Sequence, residues 1–559
     1  MTAFDEVFDF AAAGSGGGAL CASLVLRKAG KSVVVLEKTP LIGGATARSG
    51  GVLWIPNNPF LKRDGIADSP EKAALYLDTL CGDRADAPGA TRARRLAYIA
   101  EAPRMLDFLI GEGIRLNRVS YWPDYYDDLP GGLKEGRTVV AEIFNVNELG
   151  AWKDKLRPGF LPVPASLEEA LKLPYFKQRW DSKKAMAKVA FRSIGARLTG
   201  KQYISAGQCL QGRMLQAALK AGADIRTESP VEELLFENGR VVGVRTVKNG
   251  RPWRIGARLG VLVNAGGFAR NQRMRDRYQP GTRAEWSSVP EGDTGEMIEE
   301  MMRHGAAIAQ MEEMVGYQTT EAPGFAKMDI KPTAQGLTAK PHAILVDQSG
   351  VRYMNEGGSY MAYCKGMLER NKTTPAIPSW AIFDAQYLDK YMLAGTMPGR
   401  KKPESWAREG YLRQAATIEE LARLIKVDPA ALAATVARFN GFVDKGHDED
   451  FRRGARAYDN WLGDPGHAPS QTLGRIEKPP FCAVPVVPGD VGTYGGVVTD
   501  VDARVLRENG TPIEGLYATG VSTASVMGRA YPGAGSSIGP SFTFGYIAAK
   551  HAAGLGNQP

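Results

Sequence analysis

The chain has 559 residues, 44% of them hydrophobic and 23% charged, with a formal net charge of +9. That length and apolar content exclude a disordered or fibrous protein and allow two or three domains around a substantial core. The five cysteines, Cys21, Cys81, Cys209, Cys364 and Cys482, are scattered and never form a CxxC pair, so neither a disulfide framework nor a metal site is expected. The first ten residues are acidic where a signal peptide would be basic, and no stretch approaches the ~20 apolar residues of a membrane span, so a cytoplasmic protein is expected.

Residues 8–20, FDFAAAGSGGGAL, read alone as either a Gly/Ser-rich linker or a strand running into a phosphate-binding turn. The following residues favour the turn. CASLVLRKAG can place Leu20, Leu24 and Ala29 on one face of a short helix that Gly30 stops, and KSVVVLEK supplies a β-branched strand, Val33 to Leu36, closed by Glu37. Strand, glycine turn, helix, strand and acidic residue is the order of a dinucleotide-binding βαβ unit. Gly14-x-Gly16-x-x-Ala19 has the required spacing, and the Glu37 carboxylate falls where it can accept from ribose hydroxyls. The three alanines are an unusual filling for such a strand and require bulk from its neighbours.

A second glycine patch follows Glu37 directly: Gly43, Gly44, Thr46, Ser49, Gly50 and Gly51. Farther on, ADIRTESPVEELLFENGRVVGV predicts a strand and a hairpin around Glu237-Asn238-Gly239, then GVLVNAGGF an apolar strand ending in Ala265, Gly266 and Gly267. GLYATG repeats the device at Ala518, Thr519 and Gly520, and the last segment places small residues ahead of a helix expected near Ser541. A helix N-terminus of that kind suits the anionic edge of a reduced flavin. Together these patches favour FAD over NAD.

Residues 151–200 are a marked composition shift, with eleven Lys/Arg against four Asp/Glu. Trp152, Phe160, Leu161, Tyr175, Phe176, Trp180 and Phe191 lie among the charges. SLEEALKLPYFKQRW and DSKKAMAKVAFRSIGARL read as short basic amphipathic helices, which suit either an anionic membrane surface or a solvated lid. No nucleic-acid-binding module accompanies the charge, so no nucleic-acid partner is expected. TIEELARLIKVDPAALAATVARFNGFVDKG, opened by a Thr417–Glu420 capping box, predicts helical scaffolding.

The combination GSGGGA, E-K-T-P-x-x-G-G-A-T-x-x-S-G-G, G-D-T-G at 292–295, R-Y-M-N-E at 352–356, P-G-D-V-G-T at 488–493 and R-A-Y-P-G-A-G-S-S-I-G-P resembles the 3-ketosteroid dehydrogenases of the fumarate reductase/succinate dehydrogenase flavoprotein superfamily. The resemblance covers nearly the whole chain except roughly 150–205. It implies an α/β fold: a Rossmann-like FAD-binding domain built from both chain ends, 1–282 and 478–559, carrying the basic insertion at about 150–205. An inserted α+β substrate domain would span 283–477, with the active site at the seam. FAD contacts are expected from Gly14, Ser15, Gly16, Gly17, Glu37, Lys38, Gly44, Thr46, Ser49, Gly50, Gly51, Val231, Ala265, Gly266, Asp293, Gly520, Ser537 and Ile538.

The resemblance also assigns chemistry. Tyr531 and the Gly535 N–H would polarise the C3 carbonyl of a 3-ketosteroid. Tyr360 would take the C2 proton, the flavin N5 the C1 hydride, and Tyr125 would assist Tyr360 and relay its proton outward. Tyr363 and Tyr121 are the substitutes for Tyr360 and Tyr125. The five histidines fall in no motif of the dicarboxylate reductases. The run G-T-Tyr494-G-G departs from the family, which has lysine there, and leaves open whether Tyr494 reshapes the pocket. The expected activity is C1–C2 desaturation of a 3-ketosteroid, one with an intact sterol side chain included, using an external electron acceptor. The alternatives are a Δ4-dehydrogenase, an ene-reductase, or a membrane-docked sterol-binding flavoprotein without turnover. Peripheral attachment at the inner face of the membrane, through 150–205, completes the expectation.

Overall fold

A sheet of eight strands is assembled from both ends of the chain. Its order runs Arg504–Leu506, Pro512–Ala518, Arg251–Val263, Glu6–Ala13, Val33–Leu36, Asp224–Arg226, and the hairpin Glu233–Glu237 and Arg240–Lys248 extends from Arg251–Val263. The computed structural model describes residues 3–161, 163–328 and 330–555. Parallel pairing in the middle of the sheet follows from burial on both faces. Asn238 and Gly239, both at positive φ, make the hairpin turn.

The alanine strand is accounted for by what flanks it. Ala11, Ala12 and Ala13 sit level with Val261, Leu262 and Val263 on one side and Val34, Val35 and Leu36 on the other. Ala12 joins the core beneath the Gly17–Lys28 helix, and Ala11 the core on the opposite face. The neighbours supply the bulk. The C-terminal helix begins at Ile538, three residues before the expected Ser541, and packs closely on the Gly17–Lys28 helix. A Cβ at Gly17 would lie 1.9 Å from the Phe542 ring and one at Gly545 2.3 Å from the Gly18 carbonyl oxygen, so small residues set this approach.

The second sheet has five strands: Thr319–Thr320, Phe481–Val487, Ser379–Phe383 and Ala343–Val346 in order, with Arg413–Ala415 on Phe481–Val487. The Ile418–Ile425 helix, opened by the Thr417–Glu420 capping box, and the Pro429–Lys445 helix cover one face through Leu421, Leu432 and Phe439. The Tyr360–Arg370 helix covers the other through Tyr363 and Met367. Because Phe481–Val487 belongs to this sheet, the chain returns to the nucleotide side after Val487 rather than at 478. Pairings of Met314–Gly316 with Asp490–Thr493, and of Ile308–Ala309 with Gly496–Val497, stitch the two parts together.

The basic insertion folds as Leu167–Lys172, a single turn at Leu173–Tyr175, and the long Trp180–Leu198 helix. Its inner side buries Ala185, Val189 and Ala196. Its outer side exposes Trp180, Phe191, Ile194 and Leu198, with Leu198 83% exposed.

Candidate active site

One continuous cavity of about 1870 Å3 runs from the first glycine turn to the tyrosines and out past the insertion. Single-ligand pockets are roughly 300–1,000 Å3, so this one has room for a large cofactor and a second molecule together.

Its nucleotide end is built as the βαβ pattern dictates. Gly14, at φ +94°, turns where a Cβ would lie 2.3 Å from the Asn264 carbonyl oxygen. The Gly17–Lys28 helix that follows has no side-chain cap from Gly16, and the turn Gly14–Gly16 at its N-terminus lines the cavity. Glu37 accepts from Ser15 Oγ at 2.6 Å and from the Thr39 N–H at 2.9 Å, and Lys38 Nζ reaches Thr294 at 2.8 Å and Glu296 at 2.7 Å. Asn264 ties the sheet to both helices: its Oδ1 accepts from the Ala19 N–H at 3.0 Å, and its Nδ2 donates to the Thr519 carbonyl at 3.1 Å and to the Ser541 hydroxyl at 3.4 Å. Ser15, Gly44, Thr46, Ser49, Gly50, Val231, Ala265, Gly266, Gly520, Ser537 and Ile538 all line the cavity. Gly17 and Gly51 do not. The first is turned against Phe542 and the second against the Gly207 backbone, 2.5 Å from a Cβ placed there, so both serve packing.

Asp293 gives the test of fit for a flavin. It is 5% exposed and neither carboxylate oxygen has a formed hydrogen bond, although the Gly267 N–H approaches. Burial, aided by the nearby Asp490 charge, pushes its pKa up to about 7. An orphaned acceptor aimed into a glycine-lined trough with an uncapped helix end matches a ligand that offers hydroxyl donors and phosphates, as FAD does.

At the other end five tyrosines from distant segments converge. The Tyr360 ring lies 5.3 Å from Tyr125, 5.1 Å from Tyr531 and 5.4 Å from Tyr317, and Tyr125 stacks on Tyr458 at 4.1 Å. The hydroxyls of Tyr531, Tyr360, Tyr125 and Tyr458 follow one another at hydrogen-bonding range, and Gln335 Nε2 donates to Tyr458 at 2.9 Å. Burial drives Tyr360, Tyr125 and Tyr458 well above the ordinary phenol range, and Tyr531 up to about 12. The Tyr531 hydroxyl faces the N–H groups of Gly535 and Ser537. Gly535, at φ +99°, presses against the Val52–Trp54 strand, where a Cβ would stand 2.5 Å from the Trp54 nitrogen.

Backbone bonds hold these rings. The Tyr125 N–H donates to the Pro532 carbonyl at 2.8 Å, as does the Tyr76 hydroxyl at 2.7 Å. Asp124 accepts from Trp54 Nε1 at 2.8 Å and pairs with buried Arg137. Tyr363, one helical turn beyond Tyr360, points into the second core and meets Thr338 at 3.1 Å, while Tyr121 is half exposed at the rim. Tyr494 does not line the cavity. It lies behind Tyr531, ring to ring at 5.7 Å, so it supports that residue rather than reshaping the pocket. No histidine is among the lining residues. Tyr458, Tyr317 and Gln335 were missed by sequence reasoning. Only the aromatic pair in AYDNW hinted at the first.

A glycine trough for a dinucleotide opening onto a buried row of phenols defines a flavoprotein oxidoreductase. The chain matches the FAD binding domain family over residues 9–538 and belongs to it. Within it, the chain belongs to the FAD-dependent 3-ketosteroid dehydrogenases. It is 38% identical to a 3-oxosteroid 1-dehydrogenase of Mycobacterium tuberculosis, over 98% of each chain. It is 34% identical to a 4-oxocyclohexanecarboxylate 2-dehydrogenase of Sinomonas cyclohexanicum, over 98% of this chain and 93% of that one. The crystal structure of 3-ketosteroid delta1-dehydrogenase from Sterolibacterium denitrificans, in complex with 1,4-androstadiene-3,17-dione, superposes with a TM-score of 0.91 at 33% identity and covers 98% of this chain and all of that one.

Proposed function

We propose that the protein introduces the C1–C2 double bond into 3-ketosteroids. The observation that carries this is the row of Tyr531, Tyr360 and Tyr125 beside Gly535, at the inner end of a largely apolar cavity. FAD, when bound, supplies the acceptor for the hydride from C1. Tyr531 Oη–H and the Gly535 N–H are convergent donors, suited to an oxygen that gains negative charge as the C2 proton leaves. That carbonyl acidifies C2, and Tyr360 removes the proton. Burial holds Tyr360 well above the ordinary phenol range, and Tyr125, 5.3 Å away ring to ring, is the neighbour that assists it and relays its proton outward. The surrounding aromatic walls exclude water.

The roles of the trough residues form part of the same reading: Gly14, Ser15, Gly16, Gly44, Gly266 and Gly520 admit the cofactor, Glu37 meets the ribose and Asp293 the orphan hydroxyls. Turnover then needs an external electron acceptor. The test is anaerobic mixing of the FAD-loaded enzyme with a 4-ene-3-ketosteroid, read as bleaching of the flavin absorbance and a product two hydrogens lighter. A 1,4-diene product supports the reading. No bleaching leaves a binding protein, and desaturation only of a ring-saturated ketone at C4–C5 moves the reaction to the other bond.

We further infer that the enzyme docks at the cytoplasmic face of an anionic membrane. Trp180, Phe191, Ile194 and Leu198 fall on one stripe of the 180–198 helix, and exposed Lys183, Lys184 and Arg197 lie beside it. Phe160, Leu161, Leu171 and Tyr175 of the same insertion line the outer end of the cavity, so a sterol with its side chain has an apolar route from bilayer to site.

A further inference from the structure

Three glycines of the Y-P-G-A-G-S-S-I-G-P stretch are moulded on one residue, Trp54, that does not line the cavity. A Cβ at Gly533 would stand 2.6 Å from Trp54 Cδ1 and 2.7 Å from its Nε1, one at Gly535 2.5 Å from the Trp54 backbone nitrogen, and one at Gly539 2.9 Å from the Trp54 carbonyl oxygen. Trp54 is fully buried and cannot give way. Its indole N–H donates to Asp124 Oδ1 at 2.8 Å, and its carbonyl accepts from the Tyr98 hydroxyl. Asp124 also accepts from the Leu133 N–H at 3.1 Å and pairs with Arg137, which Asp68 holds in turn at 2.7 Å, with the three charged side chains all buried. Buried charges tolerate no vacancy among their partners, which fixes the carboxylate and, through it, the indole.

On its other side the turn is gripped by its carbonyls. Tyr76 Oη donates to the Pro532 carbonyl at 2.7 Å while accepting from the Tyr126 N–H at 3.3 Å, and Thr138 Oγ1 donates to the Ala534 carbonyl at 3.2 Å. Tyr76 is also fully buried and outside the cavity wall, whereas Tyr531, Ala534 and Gly535 form part of that wall. We propose that Trp54 and Tyr76 are positioning residues for the reaction: Trp54 by its shape and Tyr76 by its hydrogen bond hold the 531–535 turn so that the Tyr531 hydroxyl and the Gly535 N–H meet on one substrate carbonyl oxygen. The role rests on the reading of Tyr531 and Gly535 as the donors to the ketone. Donors set in place beforehand stabilise charge as it develops, and a displacement of ~1 Å forfeits much of that gain.

The experiment follows the infrared band of the C3 carbonyl of a 1,4-diene-3-ketosteroid, the product, bound to the oxidised FAD-loaded enzyme. Isotopic labelling at C3 and subtraction of the unlabelled spectrum separate the band from the protein amides. In the parent the two donors lower its frequency below that in an apolar solvent. Tyr76→Phe, which removes one oxygen and leaves the ring, should return part of that lowering and reduce kcat about tenfold with FAD still bound. Trp54→Phe should act in the same direction, with a kcat loss of about 10^2. A band and kcat unmoved in both variants, with only a lower Tm, overturn the proposal, and Tyr76→Phe decides alone if Trp54→Phe does not fold. Tyr531→Phe separates the two claims. If it leaves the band unmoved, the carbonyl is not held there and the underlying reading fails; if it moves the band while the other two do not, only the positioning role fails.

Discussion

The glycine trough and the tyrosine row occupy two ends of one cavity and are built on opposite plans. The trough is local. Gly14, Gly16 and Glu37 belong to one strand–turn–helix–strand unit, and Gly266 and Gly520 repeat the same device at the ends of neighbouring parallel strands. The tyrosine row is non-local: Tyr125, Tyr360, Tyr458 and Tyr531 come from four segments spread over about 400 residues, and only the closing of the second sheet's layer against the first brings them together. Cofactor binding and turnover should therefore be separable by mutation, and the ways to break that separation differ widely in size.

The largest effect is expected at Tyr360, the proposed base. Tyr360→Phe should lower kcat by about 10^2–10^4 while the flavin remains bound with an unchanged visible spectrum. A variant that turns over normally, or that loses its flavin, denies the division. Tyr531→Phe comes next, at about 10^2–10^3 in kcat, the usual cost of removing one donor from a developing oxyanion. Gly535→Ala should be worse than a lost donor alone, because φ +99° and the Trp54 nitrogen 2.5 Å away leave no room for a Cβ. If Gly535→Ala keeps wild-type kcat, the carbonyl is not held there.

The opposite plans also explain what could be read from residues alone. A βαβ unit announces itself within thirty residues, so its strand, turn and helix were legible, and even the odd alanines posed a question that Val261–Val263 and Val34–Leu36 answer. What a single glycine does was not legible. Gly17 and Gly51 carry the same local pattern as Gly14, and only the approach of Phe542 and Gly207 shows that they pack rather than line the cavity. Tyr531, Tyr360 and Tyr125 were found through family motifs, not periodicity. Tyr458 lay outside those motifs, and its place depends on Asp127 capping a helix some 330 residues away. Whether Tyr494 reshapes the pocket stayed open for the same reason: a sequence departure has no depth coordinate, and this one lies a layer behind Tyr531.

The insertion supplies a smaller, separate effect. Trp180→Glu, Phe191→Glu and Leu198→Glu together place three carboxylates on the exposed stripe of the 180–198 helix and should reduce co-flotation with anionic vesicles at least tenfold. Turnover of a steroid in free solution should stay within about twofold, since none of the three lines the cavity. Equal flotation of parent and variant removes the docking surface and leaves the stripe as a lid.

The smallest effect is a matter of stability, and its sign depends on whether the trough is filled. Asp293 has its carboxyl raised to about 7 in the folded chain, chiefly by burial, with the Asp490 charge adding to it. A group raised in this way binds its proton more tightly folded than unfolded. The stability it contributes is present in full below the unfolded value, near 4, and is lost as pH rises through about 7. Asp293→Asn removes that loss. The flavin-free variant should match the parent below about pH 4 and exceed it at pH 8 by about 1–3 °C in Tm. Hydroxyl donors from a bound flavin satisfy the carboxylate, so with FAD present the advantage should shrink or reverse, and the variant should hold FAD more weakly. A pH-independent Tm difference, or unchanged FAD affinity, shows that Asp293 is not an acceptor kept open for the cofactor. It would then be a buried carboxylate belonging to the packing of the trough, as Gly17 and Gly51 do.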